Sequence, residues 1–416
     1  MNQSDPTYLA RKTPGIGMTD TEDQVNMVRL RVYRLGRVQE ELKKRDYGAC
    51  VLFDPINIRY ATGSRNMTVW TLHNAARYAF VPAEGKAVLF EFPRCEHLAR
   101  GLETIGEVRP ATTWYYFSAG RFLDERAISW ATEIADLVKE QCGGNQRLAL
   151  DHGNFPGTRA LEALGIEIVE GQEPMERARA IKSADEIACM NVAISVCEAG
   201  MARMREALAP GITENELWSI LHETNIAMGG EWIETRLLSS GGRTNPWFQE
   251  CGERVIRPGE LVGYDTDLIG PFGYCADISR TYFCGPGKPS DEQRNLYRTA
   301  YEQIQANIAL LEPGMSFREF SEKSWRIPDA YVAQRYSTLA HGVGMCDEWP
   351  AIAFLQDWDR KGGYDGVFEP NMTICIESYV GAEEGAEGVK LEDQVLITDD
   401  GVQVLSTFPF EDDLLA

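Results

Sequence analysis

Cysteine pairs of the C-x-x-C type are missing from this chain. Its ten cysteines, Cys50, Cys95, Cys142, Cys189, Cys197, Cys251, Cys275, Cys284, Cys346 and Cys375, are scattered over both halves. A chain of 416 residues does not need disulfide staples, so reduced thiols in the cytoplasm are the simplest expectation. Also missing is any uninterrupted apolar run of about 18 residues, the length that marks a membrane span. The N-terminal stretch MNQSDPTYLARKTPG lacks the apolar core of a signal peptide. Basic residues are outnumbered, 41 against 63 acidic, for a formal net charge of −22. Such a surface repels nucleic acid and anionic lipid, which discounts both as partners. Histidine is scarce: His73, His97, His152, His222 and His341 are the only five.

What is present suits a globular α/β protein of two domains. Apolar residues make up 44% of the chain, enough for ordinary cores. Residues 1–21 are polar and contain two prolines, and read as an arm. Residues 22–172 alternate helical and strand patterns, the mark of an α/β domain. A helix is expected over 23–44, with Val25, Val28, Val32, Leu35, Val38 and Leu42 along one face. Strands are expected over 50–54, 78–82, 86–92 and 148–151, and a helix over 125–142. A second domain is expected over 173–416. It opens with a helical stretch over 174–207, in which Ser183 and Glu186 have capping-box spacing, and a helix capped by Thr213 follows. Strands are then expected over 234–239, 261–269, 274–283, 371–379, 389–398 and 402–406, with helices over 291–311 and 316–324.

The chemistry-bearing residues crowd into the second half. In Gly263–Thr281, GYDTDLIGPFGYCADISRT, three aspartates sit in two strand-like runs joined by a Gly-Pro turn. Alternation along a strand puts Asp265 and Asp267 on one face, with Asp277 returning toward them. Buried carboxylates repel one another unless neutralised or bound to a cation. Aspartates that cap a β-turn have the same pattern. In LAHGVGM, His341 carries glycines at +1 and +3, which let backbone pack close. TICIES and VKLEDQV each set one glutamate, Glu377 or Glu392, in an otherwise apolar strand, where a lone charge is costly. The order Asp, Asp, Asp, His, Glu, Glu is hard to explain as unrelated accidents. Carboxylates with one imidazole suit Fe, Mn, Co or Zn, and bridging carboxylates suit a pair of such ions.

AIKSADEI, EPNMTICIES and VKLEDQVLITDDG resemble the pita-bread fold metallopeptidases and their relatives: prolidase, aminopeptidase P, methionine aminopeptidase and creatinase. The resemblance implies a creatinase-like N-terminal domain ahead of a pita-bread catalytic domain. Two departures stand out. The peptidases carry a histidine shortly after a Ser-Gly near the first metal strand, but SGGRTNPWFQEC has none. They carry another about seven residues after the metal-binding histidine, but GVGMCDEWP places Asp347 and Glu348 there. The spacing of the first aspartates is shifted by one residue, and one extra carboxylate is present. His222, in a helical pattern, reads as structural.

GGEWIETRLLSSGGRTNPWFQECG, DTDLIGPFGYCADISR, HGVGMCDEWP and LFDPINIRYATGSRNM are similar to the DddP-type dimethylsulfoniopropionate lyases, which share the pita-bread fold. That resemblance implies cleavage of dimethylsulfoniopropionate to dimethyl sulfide and acrylate. It implies metal ligands at Asp265, Asp267, Asp277, His341, Glu377 and Glu392 and a general base at Asp347. It further implies iron as the metal, with Mn, Zn, Co or Ni as other options, and a homodimer. Glu348 is the second choice of base. Tyr336 is placed to donate a hydrogen bond near it. A sulfonium is bound well by aromatic faces; Trp70, Trp247, Phe248, Tyr264, Tyr336 and Trp349 are the candidates. β-Elimination needs no attacking water, so the lost histidines weigh against amide hydrolysis and leave elimination untouched. The alternative is an Xaa-Pro dipeptidase or ectoine-hydrolase-like amidohydrolase of the same fold.

Overall fold

The Asn26 side chain accepts from the Arg29 backbone N–H and starts the first helix, Met27–Lys44. The computed structural model describes residues 25–360 and 363–416; the arm expected over 1–21 lies outside them. Leu30, Leu35, Val38 and Leu42 form the buried stripe of this helix, whereas Val28 and Val32, expected on that face, are exposed. Six strands follow: β1 (Ala49–Leu52), β2 (Tyr78–Pro82), β3 (Ala87–Glu91), β4 (Ile105–Pro110), β5 (Arg147–Leu150) and β6 (Glu167–Glu170). They form one mixed sheet in the order β4-β3-β2-β1-β5-β6. Val51, Phe80, Phe90 and Leu148 of the sheet pack with Trp130 and Ile134 of the helix Leu123–Gln141.

The described residues form two compact units, one ending at Arg179 and the other beginning at Ala180. The division falls after Arg179 rather than after residue 172. The reason is local. The helix Gln172–Ala180 is tied to the first unit by Tyr60, whose hydroxyl donates to Ala178 O at 2.8 Å, and by Arg179 donating to Asn57. The helical stretch expected over 174–207 is therefore two helices. Ser183 and Glu186 close a capping box that starts the second, Ala184–Ala207. By length and composition that helix is apolar enough to cross a membrane. Here its Cys189, Met190, Ala193, Ile194, Cys197, Met201 and Met204 are buried in the unit, against the helix Glu214–Ala227. Thr213 and Glu216 cap the latter by the same device.

The second unit holds β7 (Trp232–Ile233), β8 (Leu238–Ser240), β9 (Leu261–Asp265), β10 (Leu268–Ile269), β11 (Cys275–Ala276), β12 (Ser279–Phe283), β13 (Ala340–Val343), β14 (Asp347–Ile352), β15 (Thr373–Gly381), β16 (Gly388–Thr398) and β17 (Gly401–Val404). They make three sheets, β11-β10-β7, β12-β9-β8 and β14-β13-β15-β16-β17. The helix Asp291–Leu310 packs its Leu296, Tyr297, Ala300 and Ile304 in one core with Ile374, Ile376, Leu391 and Val395 of β15 and β16.

The strands expected over 261–269 and 274–283 are each broken. Asp265 pairs with Ser279 in one sheet and Leu268 with Ala276 in another. Between them the ladder opens, and Thr266 fills the gap: its Oγ1 donates to Ala276 O and accepts from Ile278 N, both at 2.9 Å. Asp265 and Asp267 therefore do not share the face of one continuous strand. Asp267 lies beyond the end of β9 at φ +35°, a left-handed conformation rare for a residue with a Cβ. Although the strand is broken there, the Asp267 carboxylate still gathers with those of Asp265 and Asp277.

Candidate metal centre

β13, β15 and β16 run side by side, and their register decides which side chains meet. His341 stands opposite Cys375, Gln394 opposite Cys375 on the other side, and Glu392 opposite Glu377. Alternation then puts His341, Cys375, Glu377 and Glu392 on one face. The Asp strands reach that face through hydrogen bonds to β16. Thr281 Oγ1 accepts from Lys390 N at 3.1 Å, and Arg280 donates to Glu392 O at 2.6 Å. Gln394 Oε1 accepts from Asp277 N at 3.3 Å.

The glycines after His341 behave as the sequence suggests. A Cβ on Gly342 would lie 2.2 Å from Trp349 O, and one on Gly344 2.5 Å from Glu348 Oε1. This close approach belongs to the hairpin of β13 and β14, which the sequence reading did not anticipate.

All six expected ligands converge. His341 Nε2 is 3.1 Å from Glu377 Oε1, 3.4 Å from Asp277 Oδ2 and 3.5 Å from Glu392 Oε1. His341 Nδ1 lies 2.9 Å from Gly342 O, an acceptor only, so Nδ1 carries a proton, and Nε2, which faces the carboxylates, is the nitrogen that would bind a metal. Three groups have ligating atoms within 4.8 Å of one another: Asp277, His341, Cys375 and Glu392; Asp265, Asp267 and Asp277; and Asp265, Glu377 and Glu392. The five carboxylates are all buried. Burial, then repulsion from their acidic neighbours, pushes the carboxyls of Asp267 and Asp277 well above the usual range.

The donors fit a metal. Asp277 Oδ1, Glu377 Oε1 and Glu392 Oε1 are buried oxygens with no hydrogen-bond partner, a costly state that a coordinated cation removes. Other oxygens of the set are already held: Thr235 Oγ1 donates to Asp267 Oδ2, and Ser279 Oγ sits 2.7 Å from Asp265 Oδ1 and from Glu392 Oε2. Such contacts orient ligands. Thr235, Ser279, Cys375 and Lys390 went unnoticed in the sequence.

Asp347 and Glu348 separate cleanly. Asp347 Oδ1 is 4.0 Å from His341 Nδ1, and its side chain is 46% exposed, so solvent reaches it. Burial of its surroundings raises its carboxyl above the usual range; His341 pulls the other way, and Glu392, Asp265 and Glu377 add repulsion. Glu348 points the opposite way along the strand and forms a buried ion pair with Lys182. That rules it out as the second choice of base. Removing one partner of a buried pair strands the other charge, which costs about 3–5 kcal/mol. Glu348→Ala is therefore expected to lower stability by roughly that amount in urea denaturation, and a variant of wild-type stability would contradict the pairing.

The aromatic candidates divide. Tyr336 is at the centre: Lys390 Nζ lies 4.5 Å from its ring centroid, and the exposed Phe248 stacks on it at 5.4 Å. Burial and the Glu377 carboxylate push the Tyr336 phenol far up, so it keeps its proton and serves as a donor. Tyr264 is a correction. It neighbours Asp265 in β9 and so faces the other way, fully buried, with its hydroxyl donating to Tyr282 at 2.5 Å. Trp349 packs against Phe317 and Tyr364 in the core, and the buried Trp247 lies 5.8 Å from the Tyr379 ring. Trp70 belongs to the first unit, where its ring meets Phe92 edge-on. His222 lies beside Trp218 on its helix and is in none of the three metal-binding groups.

Two family models match the chain: the creatinase/prolidase N-terminal domain over residues 34–181 and metallopeptidase family M24 over residues 188–399. Among curated proteins, the dimethylsulfoniopropionate lyase DddP of Roseovarius nubinhibens is 44% identical over 99% of this chain and 92% of its own length. The protein of the same name from Roseobacter denitrificans is 40% identical over the same shares. Among solved structures, the Xaa-Pro dipeptidase from Bacillus anthracis superposes with a TM-score of 0.74 at 23% identity, covering 91% of this chain and 98% of that one, a likeness of fold. With a creatinase-like domain ahead of a pita-bread domain, and with relatives this similar along nearly its whole length, the chain belongs to the DddP dimethylsulfoniopropionate lyases within metallopeptidase family M24.

Proposed function

We propose that this protein is a metal-dependent carbon–sulfur lyase that splits dimethylsulfoniopropionate into dimethyl sulfide and acrylate by base-assisted β-elimination. The observation that carries the reading is the pairing of a complete donor set with a solvent-reachable carboxylate, Asp347, where the related peptidases have a histidine. The relatives named for this activity, 44% and 40% identical over 99% of the chain, support it.

Asp265, Asp267, Asp277, His341, Glu377 and Glu392 would hold two divalent or trivalent transition-metal ions, iron by preference, with Mn, Zn, Co or Ni as other options. When bound, the ions supply Lewis acidity toward the substrate carboxylate and the negative charge that builds on it. Asp347 takes the proton from the carbon next to that carboxylate. The electrons of the C–H bond form the double bond of acrylate, and the C–S pair leaves on sulfur as dimethyl sulfide. Desolvation around Asp347 makes it a stronger base than a free aspartate. The Tyr336–Phe248 stack offers aromatic surface for the sulfonium, and the Tyr336 hydroxyl a donor near the base. Trp247 packs beside Tyr379, and Trp349 against Phe317 and Tyr364. A cytoplasmic homodimer completes the proposal; all ten cysteines are free thiols, which suits a reducing compartment.

The test is a side-by-side assay of the purified chain. Equimolar dimethyl sulfide and acrylate are expected from dimethylsulfoniopropionate, with Xaa-Pro dipeptides left nearly intact. Robust metal-dependent dipeptide hydrolysis without dimethyl sulfide would favour the amidohydrolase alternative.

A further inference from the structure

Lys390 takes no part in the chemistry above, yet it lies in the middle of the donor set. Its side chain is completely buried. Its Nζ is 2.8 Å from Glu392 Oε2, 2.9 Å from Glu377 Oε2 and 3.3 Å from Asp265 Oδ2, and 2.8 Å from Ser279 Oγ. Strand register explains the placement. Lys390 stands two residues before Glu392 on β16, hence on the same face, and Thr281 Oγ1 clasps its backbone at both N and O. The three carboxylates it touches are one of the three groups whose ligating atoms could hold a metal. In the other two, Asp277–His341–Glu392 with Cys375 and Asp265–Asp267–Asp277, no lysine or arginine stands within salt-bridge distance of Asp267 or Asp277 among the described residues.

We infer that Lys390 is a built-in third cation of the centre, which fills the Asp265–Glu377–Glu392 group and so limits the protein to two metal ions. The charges agree. Five carboxylate ligands carry −5; two divalent ions carry +4 and Lys390 carries +1, which sums to zero. A compact ammonium with three donors suits a nest of three carboxylates and one hydroxyl. It also assigns the oxygens. By distance, Glu377 and Glu392 each turn Oε2 to the Lys390 ammonium and Oε1 toward His341 Nε2. Lys390 is thus a positioning residue that aims its neighbours at the metals and holds the ring of Tyr336. The inference rests on the metal centre and is independent of the substrate.

The test counts metal. The full-length chain is stripped with a chelator, dialysed against Mn²⁺, and its bound metal measured by elemental analysis. Wild type and Lys390→Arg are expected to bind two equivalents, and Lys390→Ala three. A folded Lys390→Ala that binds the same number as wild type overturns the inference, and a wild type that binds none overturns the metal centre as well. Should Lys390→Ala fail to fold, Lys390→Gln decides the matter through its melting temperature. Without metal it is expected to melt below metal-free wild type and to gain more from Mn²⁺. Equal melting of the two metal-free proteins overturns the inference.

Discussion

Asp347→Ala is expected to lower kcat about 10²- to 10⁴-fold, roughly 3–5 kcal/mol of transition-state stabilisation, while metal content and fold stay at wild-type levels. The expectation follows from geometry. Asp347 stands on the outer flank of His341, nearest its Nδ1, whereas the ligating carboxylates gather around Nε2. It can therefore be lost without opening the centre. KM should change less than kcat, because the substrate's carboxylate and sulfonium are held by other groups. Asp347→Asn should fail almost as badly, since an amide does not accept the proton at neutral pH. Paired measurements of kcat and bound metal check this. Loss of metal in Asp347→Ala would move the residue into the coordination set and send the search for a base elsewhere.

Asp277→Ala should have the opposite signature, with metal and activity lost together. Asp277 belongs to two of the three ligand groups, and it lies 3.4 Å from His341 Nε2 through Oδ2 while Oδ1 stays unpartnered. One substitution thus removes a donor from both proposed ion positions. Metal content is expected to fall toward zero and dimethyl sulfide release below detection. His341→Ala and Glu392→Ala, which remove donors from the same face, should behave alike. Elemental analysis beside the activity assay separates this from the Asp347 variant. An Asp277→Ala protein with two bound ions would contradict its place in both groups.

Much of the centre was legible because charge inside an apolar strand is expensive and therefore conspicuous: Glu377 and Glu392 stand out in TICIES and VKLEDQV. Helix starts were legible for a similar local reason, as the capping boxes at Ser183 and Thr213 show. Features that depend on distant partners were not. Lys182 and Glu348 are 166 residues apart, and nothing nearby announces their pairing. The break that frees Asp267 from β9 depends on Thr266 bonding across to Ala276 and Ile278. Two further points were open to simple alternation. Tyr264 adjoins Asp265 and must face away from it, and Lys390 precedes Glu392 by two and must face the same way.

The most direct test is the headspace above purified protein supplied with dimethylsulfoniopropionate, measured as isolated, after chelation, and after reloading with metal. Dimethyl sulfide is expected from the first, none above background from the second, and release again from the third. Dimethyl sulfide from the fully chelated chain, or none from a folded, metal-loaded one, would contradict a metal-dependent lyase.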